Sequence, residues 1–236
     1  MQPICFTNGN IYKLMDSNIT AAKSILSQLD VDGIEWHYGA SLIARPILES
    51  DLVYLKKLKL NSIHSLRVVP DSIAEALSLF EKIQSDYDKI NAHSIVIHPE
   101  SLPPRRVLDK LHMNFLTENM NCLPFCRSRL GFEDVLKKNR DFGLCLDVSH
   151  AFYWSPRETK RIVQNWGRRI EQIHFSFARN GLDHLHSSYS TKTFLDSIKP
   201  LADLNVPIVI EEVLPVCTVE SARDEISKVK EILFEL

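Results

Sequence analysis

Leu144-Cys145-Leu146-Asp147-Val148-Ser149-His150 is the stretch on which the reading of the fold turns. An apolar run enters an Asp, and a His follows three positions later. Gly143 opens the run. Ser155-Pro156-Arg157-Glu158 starts the next helix, with Ser155 as N-cap, Pro156 at the first position and Glu158 completing a capping box. A short apolar run bounded by turn signals reads as a buried strand. Asp147 and His150 therefore stand where a parallel strand ends and its loop begins. Catalytic groups collect along that edge in barrels and doubly wound sheets.

Working outward, the same unit recurs. Apolar runs at residues 4–7, 31–36, 60–63, 94–97, 113–117, 170–175 and 206–210 read as seven further strands. Helical patterns lie between them. Ile19, Ala22, Ile25, Leu26 and Leu29 share one face, and residues 45–60 carry a stripe of Leu48, Leu52, Leu55 and Leu58. A capping box, Ser72-Ile73-Ala74-Glu75, opens a long helix with Ile73, Leu77, Phe80, Ile83, Tyr87 and Ile90 inward. Residues 104–111, 132–139 and 194–204 follow, and 218–236 closes the chain with Val219, Ala222, Ile226, Val229 and Leu233 inward. Residues 176–191 read as a polar loop. Eight strands alternating with eight helical segments predict an α/β fold, a single (β/α)8 TIM barrel over residues 1–236. A doubly wound open sheet is the structural alternative, and eight units in 236 residues favour closure.

Composition narrows the class. Apolar residues make up 44 % and charged residues 25 %, an ordinary globular balance. A formal charge of −2 gives no global positive field to draw nucleic acid. Five unevenly spaced cysteines argue against a disulfide framework. No signal-like N-terminus and no membrane-length apolar run are visible, so the expectation is a cytoplasmic protein with no membrane partner.

Seven of the nine histidines (His37, His64, His98, His150, His174, His184 and His186) fall at or just past a predicted strand end. Glu35, Glu118, Asp147, Asp183 and Glu211 share that bias. A lone His at a strand end is usually a hydrogen-bonded structural residue. Potential ligands at six successive strand ends, three through eight, are poorly explained that way. A buried carboxylate such as the one after Ile208-Val209-Ile210 needs a cationic or metal partner. Imidazole with carboxylate and no Cys suits Zn²⁺, Mn²⁺ or Fe²⁺ rather than a thiolate site.

At these residues the chain resembles the xylose isomerase-like TIM-barrel superfamily, and within it the endonuclease IV (AP endonuclease family 2) pattern. The pieces are Ile97-His98-Pro99, Glu118-Asn119, Leu146-Asp147-Val148-Ser149-His150, His174, Asp183-His184 and Ile210-Glu211, and the resemblance spans all eight units. It implies up to three divalent ions, Zn or Mn with Mg, Fe or Co as alternatives. The implied ligands are His64, His98, Glu118, Asp147, His150, His174, Asp183 or His184, and Glu211. The sugar phosphate isomerase and epimerase branch implies one ion on Glu118, Asp147, His174 and Glu211, with His150 on the substrate. This chain departs from the family in three places. His186-Ser187-Ser188-Tyr189-Ser190 replaces a Gly-rich segment, and Asp183 and His184 are adjacent rather than separated by one residue, which makes His186 a substitute candidate. Glu212 stands where a small or hydroxyl residue is usual.

Two mechanisms follow. In a phosphoester hydrolase, Glu118 and Glu211 bridge ions that activate water and clamp a phosphate. In an isomerase or epimerase they move a proton at a sugar carbon. A non-enzymatic metal-binding barrel is the third class, and two retained buried carboxylates argue against it. His37, Arg179 and His186 are candidate substrate contacts, with Tyr189 beside them and Trp36 as core packing. For gripping DNA the basic clusters are Arg105-Arg106, Arg127-Ser128-Arg129 and Arg168-Arg169, the last on the wrong face. A small phosphorylated or polyhydroxylated substrate is therefore expected ahead of DNA.

Overall fold

The computed structural model describes residues 2–12, 24–38, 47–65, 70–121, 130–216 and 218–235. Eight parallel strands close into a barrel. They are β1 (Ile4–Thr7), β2 (Gly33–His37), β3 (Ser62–His64), β4 (Ser94–Ile97), β5 (Phe115–Glu118), β6 (Gly143–Asp147), β7 (Ile170–Phe175) and, after a hairpin, β10 (Ile208–Ile210). Neighbours in sequence pair in register around the ring, and β10 closes it against β1 through Ile4–Ile208 and Phe6–Ile210.

The strands read as continuous apolar runs because both faces are buried. Alternation sorts those faces. Ile95, Ile97, Phe115, Leu144 and Leu146 join the large core between barrel and helices, whereas Val96, Leu116 and Cys145 form a separate cluster on the inward face. Two residues further along the same face come His98, Glu118 and Asp147. The same period of two sets His64 beyond Ser62, His174 beyond Gln172, and Glu211 beyond Val209. Strand geometry alone thus brings the ligand candidates to the C-terminal mouth.

The helices are α1 (Gly9–Tyr12), α2 (Glu49–Leu55), α3 (Ile73–Lys89), α4 (Arg105–Leu108), α5 (Gly131–Lys138), α6 (Val148–Trp154), α7 (Glu158–Trp166), α8 (Lys192–Ile198) and α9 (Val219–Phe234). Ser72 caps α3 by accepting from the Glu75 amide at 3.1 Å. Its buried face is Ala76, Phe80 and Ile83, with Leu77 half-buried, one position round from the expected stripe. The helix expected over 45–60 ends at Leu55, because Lys59 and Leu60 donate to the Asp32 carbonyl and are already turning into β3; residues 45 and 46 lie outside the described set. None of the described helices is long and apolar enough to cross a membrane.

Two local readings change. The helix expected from Ser155 begins three residues later, at Glu158, and is preceded by a further helix. α6 starts directly at Val148 with the Asp147 carboxylate as its N-cap. It breaks at Ser155-Pro156, and α7 begins only at Glu158, with Ser155 Oγ holding the Arg157 amide at 3.1 Å. The expected loop over 176–191 contains a hairpin of β8 (Phe177–Arg179) and β9 (Leu182–Leu185). Asn180 and Gly181 turn it with φ of 54° and 77°. A two-residue turn with both central residues left-handed matches the twist of the flanking strands, and Asn-Gly is the pair that adopts it most readily.

Candidate metal centre

Glu118 lies at the hub. Its side chain is 1 % exposed, and four imidazoles converge on it. His64 Nε2 and His98 Nε2 stand 3.3 and 3.1 Å from Oε2, while His150 Nδ1 and His174 Nδ1 stand 3.2 and 3.5 Å from Oε1. His174 Nδ1 is also 2.8 Å from Glu211 Oε2. Ligand atoms of His64, Glu118, His174 and Glu211 all lie within 4.8 Å of one another, and so do those of Asp147, His150 and His184. The two groups adjoin through His150, which contacts both Asp147 and Glu118.

The other ring nitrogens are held from outside. His64 Nδ1 meets the Ser65 carbonyl at 3.1 Å and His184 Nδ1 the Glu211 carbonyl at 3.0 Å, whereas His150 shares its Nδ1 between the Asn119 carbonyl at 3.0 Å and Glu118. His174 Nε2 meets Glu35 Oε2 at 3.0 Å, while His98 Nδ1 lies 3.3 Å from Glu100 without forming a hydrogen bond. A ring N–H donated to a carbonyl or carboxylate fixes tautomer and orientation, as it does for histidines that bind metals. Glu35 is held in turn by Ser62 and Gln172 at 3.2 and 2.7 Å. Asn119 grips Asp147 at both backbone groups, at 2.8 and 2.9 Å.

Electrostatics follow from this packing. For His150, burial disfavours the imidazolium, but Asp147, Asp183 and Glu118 outweigh it and hold the pKa well above normal. His174 is raised likewise, against burial, by the carboxylates of Glu35 and Glu211. Burial would push the Glu118 carboxyl up, yet His150, His174, His64 and His98 drive it well below its ordinary value. Burial raises Asp147, whose Oδ2 has no hydrogen bond. Glu211 Oε2 and His174 Nδ1, though close, are out of alignment for a hydrogen bond. Fully buried donor atoms left unsatisfied beside imidazoles fit a divalent cation. Cys145 supplies no thiolate, because burial holds its thiol far above the normal range.

The strand-seven candidates separate. Asp183 reaches the mouth, 3.5 Å from His150 Nε2 and 3.9 Å from His184 Nε2, and is tethered by Asn121. His184 reaches it through a left-handed backbone, φ 50°. His186 does not join them: its Nε2 lies 2.6 Å from Glu225 on α9. Arg179 is exposed in β8, and Tyr189 is 47 % exposed. His37 packs edge-on to His64 with centroids 4.5 Å apart, and Trp36 is core. Glu35, Gln172, Asn119 and Asn121 were not singled out for a role by sequence. For Glu35 and Gln172 the available signal was a polar side chain within a buried strand, two residues from a His; Asn119 and Asn121 follow β5 and carried no such signal.

Two arginines of the basic clusters are engaged away from the mouth. Arg105 is bound to Asp109 at 2.7 Å and by two nitrogens to Asp141, just before β6 begins and so at the far face. That overturns its expected position near the mouth. Arg169 donates to the Phe142 carbonyl on the same far face, and Arg127 and Arg129 lie outside the described residues.

No protein-family model matches the chain, and no curated protein matches it. Solved structures do. A D-tagatose 3-epimerase-like protein is 16 % identical over 99 % of this chain and 98 % of its own, with a TM-score of 0.69. The D-allulose 3-epimerase from Methylomonas sp. is 14 % identical over 98 % of both chains, with a TM-score of 0.70. AsfvAP, from the structure of AsfvAP:AG, is 16 % identical over 98 % of this chain and 99 % of its own, at 0.63. These are xylose isomerase-like TIM barrels, and this chain has their fold.

Proposed function

We propose that this chain is a divalent-metal-dependent phosphoester hydrolase with an endonuclease IV-like site for two or three ions, acting on a small phosphorylated substrate in preference to DNA. The observation that carries the proposal is the pair of adjoining ligand groups around Glu118, with the outer ring nitrogens of His64, His174 and His184 fixed by carbonyls and a carboxylate. One ion has no use for so many oriented imidazoles. Divalent ions, when bound, supply a water of lowered pKa and positive charge for phosphoryl oxygens. His64, His98, Glu118, Asp147, His150, His174, Asp183, His184 and Glu211 would hold them, with Zn²⁺ or Mn²⁺ suited to the donor set.

The protein's own part is positioning. Glu118 turns Oε2 to His64 and His98 and Oε1 to His150 and His174, so one carboxylate sets the spacing of both groups. Glu35 holds the His174 ring so that Nδ1 faces Glu211. Asn119 locks the end of β6 against β5, and with it the Asp147 cap that carries His150.

A single-ion sugar isomerase or epimerase is the second reading. It is favoured by the compact group of His64, Glu118, His174 and Glu211, where two carboxylates flank one imidazole. Elemental analysis of protein purified without chelator separates the two. Two or three ions that vanish in Glu118→Gln, with turnover of small phosphoesters or abasic DNA, support hydrolysis. One such ion with turnover of a ketose panel replaces it with the isomerase. No such ion after Zn²⁺ and Mn²⁺ loading overturns both.

A further inference from the structure

Glu212 is fully buried and neither of its carboxylate oxygens meets a hydrogen-bond donor. It neighbours Glu211, but alternation turns it to the opposite side of the chain, towards α9. There it meets Glu225, also fully buried, in the otherwise apolar stripe of Ala222, Ile226 and Val229. His186, just beyond β9, completes the group with Nε2 at 2.6 Å from Glu225. Ligand atoms of all three lie within 4.8 Å of one another. Two buried carboxylates in contact, with one imidazole, are an expensive arrangement without a cation.

We propose that His186, Glu212 and Glu225 form a second divalent-cation site, apart from the barrel mouth, taking Zn²⁺ or Mn²⁺ through one nitrogen and two carboxylates. Ligands at ~2.1 Å from one ion sit no more than ~4.2 Å apart, so side-chain shifts of under an ångström close the group on it. Ser187 presets Glu225, donating from its amide at 2.9 Å and its hydroxyl at 2.6 Å. His186 Nδ1 accepts from the Ser188 amide at 3.2 Å, which fixes the ring with Nε2 towards Glu225. His186 follows Asp183 and His184 on the same short segment, and Val213 donates to the His184 carbonyl at 2.9 Å. The ion therefore staples the hairpin that presents Asp183 and His184 to the mouth onto the closing helix.

The test uses full-length protein stripped with chelator, reloaded with Zn²⁺ and counted after gel filtration, with Co²⁺ absorption as a second probe. Glu212→Gln is expected to lose one ion per chain and the corresponding Co²⁺ band, and Glu118→Gln to keep that ion while losing those of the mouth. Glu225→Gln leaves one acceptor oxygen for the two Ser187 donors and is expected to unfold more easily. Glu212, which makes no hydrogen bond through its carboxylate, remains the decisive position. Equal ion counts in wild type and Glu212→Gln overturn the proposal, as does a folded Glu118→Gln protein that binds no ion. Loss of ions from Glu118→Gln alone leaves the mouth reading standing and removes this one.

Discussion

Replacing Glu118 by Gln in metal-free protein removes the one charge on which four imidazoles converge at 3.1–3.5 Å. Breaking a buried charge pair from one side costs about 3–5 kcal/mol. In a chain of 236 residues that is a fall in Tm of roughly 6–20 °C. The penalty depends on pH in a direction set by the site. Imidazoles with raised pKa, as at His64, His150 and His174, contribute stability that is complete below the unfolded value of about 6.5 and is lost as pH climbs towards the folded value. Carboxylates with depressed pKa, as at Glu118 and Glu211, contribute stability above about 4.3 that is lost on acidification. The metal-free protein should therefore be most stable between about pH 4.3 and 6.5. As pH climbs from that window towards the raised folded values, the stability these pairs contribute declines, so Gln becomes progressively less harmful. Urea denaturation of chelator-treated wild type and variant at pH 6 and pH 9 reads this directly. A penalty that is the same at both pH values, or larger at pH 9, refutes the assignment of these imidazoles as the counter-charge of Glu118.

Other perturbations probe separate parts of the argument. Glu35→Gln, which replaces the charged acceptor of His174 Nε2 by a neutral amide, should weaken metal binding at the mouth by about 10–100-fold while leaving the far-UV circular dichroism spectrum intact; unchanged affinity in a competition titration would discard the orienting role. Glu211→Gln should abolish turnover of whichever substrate is found and keep the fold, and full activity would remove Glu211 from the mechanism. Gly33→Ala should destabilise by about 3 kcal/mol, because a Cβ there would lie 2.1 Å from the Leu60 carbonyl oxygen, which is backbone and cannot rotate away. A chemical denaturation midpoint equal to wild type would show that β2 and the approach to β3 part without cost.

The barrel was legible in sequence because its strands are buried on both faces and so appear as apolar runs, most of them ending at or beside His, Asp or Glu. Local chemistry does not need the rest of the molecule to declare itself there. Hence the strand-six stretch and its seven counterparts were sufficient for the fold. The Asn180-Gly181 hairpin was also written in the chain, but the half-polar alternation around it read as a loop. What only the tertiary structure decided is how candidates divide among sites. Asp183, His184 and His186 lie within four residues, yet the first two face the mouth and the third faces α9. Glu211 and Glu212 part in the same way, because successive side chains of an extended chain point to opposite sides. Arg105 reads as a loop cation and is neutralised by Asp141, 36 residues away, and Glu35 gains its part only when β2 and β7 meet across the barrel. Sequence spacing reports distance along the chain, and electrostatic partnership depends on distance through space.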